Sequence, residues 1–436
     1  MSDLARIIRG RILTFVDEPR LAGAGALKLI EDGAVLVEDG KIAAVGDAPA
    51  IRARAPGAAL DDHSGKIISP GFIDTHIHFP QTRVIASYGA QLLEWLQKYT
   101  FVEEQKLRDP SHAAKVARFF LDEMFRQGTT TAAVYCTVHP ESVDAFFEEA
   151  QERNARMIAG KVMMDRNAPP GLTDDPKRGY DESKALIARW RGHGRLDYAV
   201  TPRFAITSTP AQLEAAGALV RENPGVYMQT HVDENRAEIG FAKELFPEAS
   251  SYLDIYDRFG LLGPRSIFGH CIHLEDSEVA ALAATRSVAA FCPTSNLFLG
   301  SGLFDMRRLN EAGVRVALAT DVGGGTSYSM LQTANEAYKV LQMSGQSWPA
   351  AQAFYQMTLG NARALGLEGK IGAISEGLEA DLIVLDSRAT PAMAHRMESV
   401  AGDFAEELFI LVVMGDDRAI AETYVAGRRA KSSLRP

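Results

Sequence analysis

Apolar positions along the chain follow two rhythms. Near both ends they come in short alternating runs: Ile7–Phe15, Ala34–Val37 and Ile42–Val45 at the front, Asp381–Leu385, Leu408–Met414 and Glu422–Val425 at the back. Alternation with a period of two marks half-buried strands. Glu38-Asp39-Gly40-Lys41 lies between two of these runs, and an Asp-Gly pair in that position predicts a hairpin. Neither end has enough strands to bury a core alone. Residues 1–66 and 368–436 are therefore expected to pair into one composite β-sandwich domain.

The middle, residues 67–367, changes rhythm. Short apolar stretches predict strands at Ile67–His76, Thr129–Tyr135, Met157–Met164, Leu196–Pro202, Val226–Val232, Ser266–His270, Ser287–Cys292 and Val314–Asp321. Amphipathic helical patterns such as Ala113–Arg126, Ser142–Arg153, Pro210–Glu222 and Ser277–Thr285 separate most of them. Eight strands with helices between them predict an α/β fold, a (β/α)8 TIM barrel, rather than an open sheet. No internal repeat or low-complexity tract interrupts it. One connection, Phe79 to Gly128, is too long for a plain loop and carries Leu92, Leu93, Trp95 and Leu96. It is expected to cover the barrel mouth.

Composition narrows the function class. The 436 residues suggest three domains at about 150 residues each, but a barrel runs past about 250 as one unit, so two are expected. With 46% apolar and 23% charged residues the chain reads as a soluble globular enzyme. The longest apolar run, Leu408–Met414, falls far short of the ~20 residues a membrane span requires. Charged residues alternate with apolar ones over Met1–Gly10, leaving no apolar core for a secretory leader, so a cytoplasmic protein is expected. A net charge of −10 without a basic run argues against nucleic acid as a partner. Cys136, Cys271 and Cys292 are too scattered for a disulfide framework or a thiolate zinc site.

The strand ends carry the candidate chemistry. Strand one runs into Asp74-Thr75-His76-Ile77-His78, where alternation puts both imidazoles on one face. Strand five leads into Thr230-His231-Val232-Asp233-Glu234, strand six ends at His270, and strand eight at Asp321. In a barrel all these ends meet at one rim. Alone, each has a structural reading: His231 or His270 as a satisfied core histidine, Asp321 as a helix cap ahead of Gly323-Gly324-Gly325. Together, four imidazoles and a carboxylate suit a borderline transition metal, Zn²⁺ foremost and iron as the alternative.

The order His-x-His, strand-five His, strand-six His, strand-eight Asp resembles the amidohydrolase superfamily. Pro70–Gln81, Glu94–Thr100, Thr201–Phe204, Gln229–Asn235, Cys292–Asn296 and Thr320–Met330 are similar to the guanine deaminases within it. The segment Gly269-His-Cys-Ile-His-Leu274 departs from the Ala-His-Gly of that family and adds His273. The resemblance implies a cytoplasmic homodimer holding one zinc per subunit through His76, His78, His231 and Asp321. His270 is then either a further metal ligand or a group beside the attacked atom. It implies hydrolytic deamination of guanine at C2 to xanthine and ammonia, with Glu234 carrying protons. Substrate contacts are implied at Gln81, Arg203, Phe204, His231 and Glu234, and Asp321 borders the reacting water.

That chemistry demands a strong nucleophile at neutral pH, which zinc provides by lowering the pKa of bound water to about 7. An arginine fork matches the O6/N7 edge of guanine, whereas adenine presents a donor there. Arg203 is therefore expected on O6 and Gln81 on another polar edge, with Phe204 and Trp95 as stacking candidates. His63, His112, His193 and His395 read as surface groups; His139 is within reach of the rim, and His273 has no assigned role. Lys161 reads as structural rather than as a carboxylated bridge between two metals. The competing functions are an amidohydrolase acting on an aminotriazine, pterin or adenosine-type ring, and a silent scaffold. The filled ligand positions argue against the scaffold.

Overall fold

Consecutive parallel strands, each hydrogen-bonded to the next, wrap the centre of the molecule: Phe72–His78, Thr129–Tyr135, Arg156–Gly160, Leu196–Pro202, Tyr227–Val232, Ser266–His270, Val288–Phe291 and Arg315–Leu318. These observations come from a computed structural model that describes residues 5–433 except Ala90 and Ala401. Met1–Leu4, part of the N-terminal reading above, lies outside the described residues. The strands are buried along almost their whole length, as parallel strands covered on both faces must be. The result is the expected (β/α)8 barrel.

The seam between first and last strands is closed by specific groups. Asn361 donates its amide to the carbonyls of Ile73 (2.7 Å) and Leu318 (2.8 Å) and accepts from the Leu318 amide (2.9 Å). Higher up, buried Asp74 accepts from the amides of His76 (3.2 Å) and Thr320 (3.1 Å). At the rim, Asp321 N–H donates to the His76 carbonyl (2.9 Å) and His78 N–H to the Val322 carbonyl (2.8 Å).

The surrounding helices start where the sequence signals a start. Pro110–Arg126, Pro176–Trp190 and Pro210–Glu222 each open on proline behind Asp109, Asp175 or Thr209, whose side-chain oxygen accepts a first-turn amide. Helix Pro110–Arg126 buries Ala113, Val116, Ala117, Phe120, Leu121, Met124 and Phe125, one apolar stripe against the barrel.

Strands from both chain ends join in one seven-stranded sheet, with Ala59–Pro70 between Arg6–Phe15 and Leu382–Leu385. Asp39 and Gly40 adopt positive φ in the hairpin joining Leu27–Glu38 to Lys41–Asp47, as Asp-Gly predicted. The sheet curls over itself. Edge strand Lys41–Asp47 bonds back to the segment leading into Leu382–Leu385, through Ile42 N to Leu378 O (2.8 Å) and Gly377 N to Ile42 O (2.9 Å). Ile8, Val35, Ile68, Leu382 and Val384 fill the interior so formed.

Two expectations fail here. Ile67–His76 is not one strand: Ile67–Pro70 pairs in the terminal sheet, and the barrel strand begins at Phe72. The break falls at Gly71, where a Cβ would lie 2.2 Å from Thr130 Oγ1. Leu408–Met414 is not a strand but the end of helix Phe404–Met414, capped by Asp403 and packed on helices Met330–Met343 and Ala350–Tyr355. A buried helix and a buried strand share the same continuous apolar run, and periodicity cannot separate them. The stretch from Phe79 to Gly128, too long for a plain loop, is mostly helical: Leu92–Trp95, Leu96–Thr100 and Phe101–Glu104 precede Pro110–Arg126, where a helix was expected from Ala113. No described helix is long and apolar enough to cross a membrane.

A charged cluster bolts the terminal sheet to the barrel. Glu379 accepts from Arg156 Nε (2.7 Å) and Arg195 Nε (3.0 Å), and Arg195 also pairs with buried Asp381. Burial alone would raise the Glu379 pKa, but the two arginines outweigh it and hold it below its usual 4.5. A depressed carboxylate stabilises the fold above its unfolded value and loses that contribution as pH falls through the folded value. Glu379→Gln is expected to cost about 2 kcal/mol at neutral pH. The gap to the parent should narrow below pH 4.5 in denaturant titrations; a gap of constant size would contradict the assignment.

Candidate active site

Side chains on three different strand ends converge at the rim. His76 and His78 project from the same face of the first strand, with their Nε2 atoms 3.3 Å apart. His231, at the end of the fifth strand, brings its Nε2 to 3.2 Å from that of His78. Asp321, just past the eighth strand, places Oδ1 3.4 Å from His76 Nε2 and 3.3 Å from His78 Nε2. Asp321 and His270 both adopt positive φ, 52° and 73°, which is rare outside glycine. Such backbone outliers concentrate at functional sites. Gly269 has its own reason to be glycine, since a Cβ there would lie 2.5 Å from His76 Cε1.

The electrostatics favour a cation at this point. Burial pushes the His78 pKa down to about 3 and that of His231 well below the usual range, so both are neutral imidazoles. His231 donates Nδ1–H to the Arg203 carbonyl (2.7 Å), which leaves the Nε2 lone pair facing the cluster. For Asp321, burial would raise the pKa, but the imidazoles of His76 and His78 outweigh it and keep the carboxylate ionised. Nitrogen lone pairs and a carboxylate oxygen thus face one another at 3.2–3.4 Å, an arrangement that a divalent metal ion fits. The ring of His78 packs against both Tyr135 (4.4 Å between centroids) and His231 (5.2 Å), which lie 4.9 Å from each other, and this three-ring cluster restricts its plane.

A second group, His76, His270, Cys292 and Asp321, also brings its donor atoms within 4.8 Å of one another. It includes Cys292, although the scattered cysteines were expected to make no thiolate zinc site. Burial, then the nearby Asp321 charge, pushes the Cys292 thiol up, and its Sγ donates to the Ala290 carbonyl (3.4 Å). His270 is in this group and not in the first.

His270 instead faces Glu234. Its Nε2 lies 3.3 Å from Glu234 Oε2 and 3.8 Å from Asp321 Oδ2, while Nδ1 pairs with Asn296 Oδ1 (2.9 Å). Burial and the Asp321 charge push the Glu234 carboxyl up to about 8, and a hydrogen bond from Ser301 Oγ (3.1 Å) opposes them. His273, the departure noted in the sequence, bonds through Nε2 to the Ser301 carbonyl (2.8 Å). It therefore braces the residue that holds Glu234. Glu238 accepts the backbone amides of Glu234 and Asn235, each at 3.0 Å, and fixes that turn from behind.

One pocket connects these groups. His78, Gln81, Trp95, Arg203, Phe204, His231, Glu234, His270 and Asp321 line it, together with Leu92, Leu96, Leu299 and Gly324. Trp95 has its Nε1–H bonded to the Ser87 carbonyl (3.2 Å), so it offers the pocket an apolar wall. Leu92, Trp95 and Leu96 confirm that the long helical insertion borders the mouth. Lys161 is buried on Asp174, outside both ligand groups, and His139 is absent from the lining.

The sequence reading missed Glu104, which is buried and accepts from both Gln81 Nε2 (3.0 Å) and Arg203 Nη1 (2.7 Å). Only its place in an acidic helical pair, Glu103-Glu104, marked it, and such pairs normally face solvent. Ser301 carried no signal either, because a lone hydroxyl in a loop reads as turn chemistry, and Asn296 was marked only as the end of the Cys292–Asn296 segment, with no role.

Comparison with known proteins matches this architecture. Residues 67–430 match the Amidohydrolase family, and residues 33–58 the Imidazolonepropionase-like composite domain of bacteria. The chain is 48% identical to a guanine deaminase of Escherichia coli (strain K12), covering 93% of this chain and 92% of the relative. It is 41% identical to a probable guanine deaminase of Deinococcus radiodurans, covering 97% and 98%. The solved E. coli guanine deaminase superposes with a TM-score of 0.95 at 46% identity, over 97% of this chain and 99% of that one. A triazine hydrolase from Arthobacter aurescens, at 21% identity and a TM-score of 0.83 over 98% and 94% of the two chains, shares the fold alone. On fold, site and likeness together, the chain belongs to the amidohydrolase family and, within it, to the guanine deaminases.

Proposed function

We infer that this chain hydrolyses guanine at C2, yielding xanthine and ammonia, with one Zn²⁺ held by His76, His78, His231 and Asp321. The reading is carried by one pocket in which this neutral imidazole cluster meets a buried arginine and glutamine suited to a purine edge. Three imidazole nitrogens and a carboxylate oxygen are a donor set that zinc favours. The ion supplies activation of a water molecule at neutral pH.

This chain's own residues supply the rest. Asp321, kept ionised, accepts the proton of the attacking water. Glu234, whose burial keeps it protonated at neutral pH, donates to ring N3 as C2 becomes tetrahedral. Recharged by Asp321's proton, it then protonates the departing amine; as the C2–N bond breaks, the proton of the C2 hydroxyl passes to Asp321 and on to Glu234, so water and guanine become xanthine and ammonia with both carboxyl groups back in their starting states. His270 Nε2 accepts from the Glu234 carboxyl and keeps it aimed at the ring. Its Nδ1 pairing with Asn296 sets that orientation. Arg203 donates to O6, Gln81 to a neighbouring polar edge, and Phe204 packs on the base. The family resemblance supports a homodimer.

Incubation with guanine is expected to release xanthine and ammonia in equal amounts; intact guanine in the presence of folded, metal-loaded protein would overturn the reading. Glu234→Gln should lower kcat by about 10³-fold or more while bound metal stays at one equivalent per chain. The two candidate ligand groups separate by metal analysis. His231→Ala is expected to lose the ion, whereas Cys292→Ser should retain it; the reverse pattern would place the metal in the group containing Cys292.

A further inference from the structure

Glu104 lies on helix Phe101–Glu104, in the insertion that borders the pocket, yet its own atoms do not line the pocket. Its partners do. One carboxylate oxygen accepts from Gln81 Nε2 and the other from Arg203 Nη1, and all three side chains are almost fully buried. Gln81 is fixed at its other end as well, since its Oε1 accepts the Gly323 amide (3.2 Å). The Arg203 guanidinium rests 5.3 Å above the Phe101 ring, five residues from the pocket's Leu96 wall in the same insertion.

We propose that Glu104 is a specificity-positioning residue, which locks Arg203 and Gln81 as a matched pair of donors toward the carbonyl edge of the base. This rests on the reading that Arg203 contacts O6. Two consequences follow from the geometry. A free guanidinium on a flexible arm would sample several rotamers, and the carboxylate selects one, so the remaining N–H groups are aimed before a ligand arrives. The same carboxylate neutralises the arginine in a site closed to water. A neutral purine then binds without leaving a buried charge uncompensated. A base lacking an oxygen at position 6 leaves these aimed donors unpaired, and that mismatch is the source of discrimination.

The test compares two neutral ligands that cannot be deaminated, because neither has an amino group: hypoxanthine, which carries O6, and purine, which lacks it. Dissociation constants are measured by calorimetry on the metal-loaded enzyme. In Glu104→Gln only one acceptor oxygen remains for two donors, and an N–H₂ group opposes the other. Hypoxanthine binding should weaken by about tenfold and purine binding by less than about threefold. Both ligands are measured on the same preparation, so a loss of folded protein would lower the number of sites without moving the ratio. Equal weakening of both ligands, or no change in either, would overturn the inference and leave Glu104 a structural residue. Arg203→Met serves as the control on the underlying reading. If it leaves the ratio unchanged, the O6 contact itself is wrong; if it shifts the ratio while Glu104→Gln does not, only the role of Glu104 fails.

Discussion

The site depends on closure of one seam. Seven of the barrel's neighbouring strand pairs are joined by ordinary parallel ladders, but the first and eighth strands are held together largely by side chains and a few rim contacts. Asn361 bolts the lower end, Asp74 and Thr320 the middle, and backbone bonds from Asp321 and to Val322 the top. The topmost clasp is made by the same residues that face the metal position. His76 and His78 lie on one side of the seam and Asp321 on the other. Closing the seam therefore also brings Asp321 to 3.3–3.4 Å from His76 and His78, and the fifth strand adds His231, so that the four donors lie within 4.8 Å of one another.

This division of labour separates chemistry from selectivity. The cluster sits at strand ends, held by the parallel ladders and by the side-chain and rim bonds of the seam. The groups suited to reading the base come from elsewhere: Gln81 just past the first strand, Arg203 past the fourth, and the leucine and tryptophan wall from the insertion. A relative with the same barrel at 21% identity is named a triazine hydrolase. A polar cluster fixed at strand ends and a pocket wall supplied by an insertion are a physical reason one barrel fold carries different sites.

What the sequence reveals follows the same split. His76 and His78 were legible because alternation on a strand is a strict rule, and His231, His270 and Asp321 because the barrel brings every strand end to one rim. Pro210–Glu222 was read to the residue, since Thr209 and Pro210 form an unambiguous cap. The first strand was drawn too long because Ile67–Pro70 and Phe72–His78 are apolar alike, and only the contact of Gly71 with Thr130 divides them. Phe404–Met414 was misread because seven consecutive apolar residues carry no period. Glu104 stayed hidden for a deeper reason: a buried carboxylate is identified by its partners, and those are 23 and 99 residues away in the chain.

Arg203 shows why these levels cannot be tuned independently. Its carbonyl accepts the Nδ1–H of His231 and so sets which nitrogen of that imidazole faces the His76–His78–Asp321 cluster. Its side chain, 2.7 Å from Glu104, sets the donors facing the substrate pocket. The same carbonyl also accepts from Thr230 Oγ1 at 3.1 Å, which ties the fourth and fifth strand ends together. The carbonyl holding His231 belongs to the backbone and the guanidinium on Glu104 to the side chain, so a change of side chain at position 203 touches only the second of these bonds. A shift of the backbone there moves both. Evolution of a new ring specificity on this barrel is thereby directed to side chains and to the insertion, and away from the path of the strand end itself.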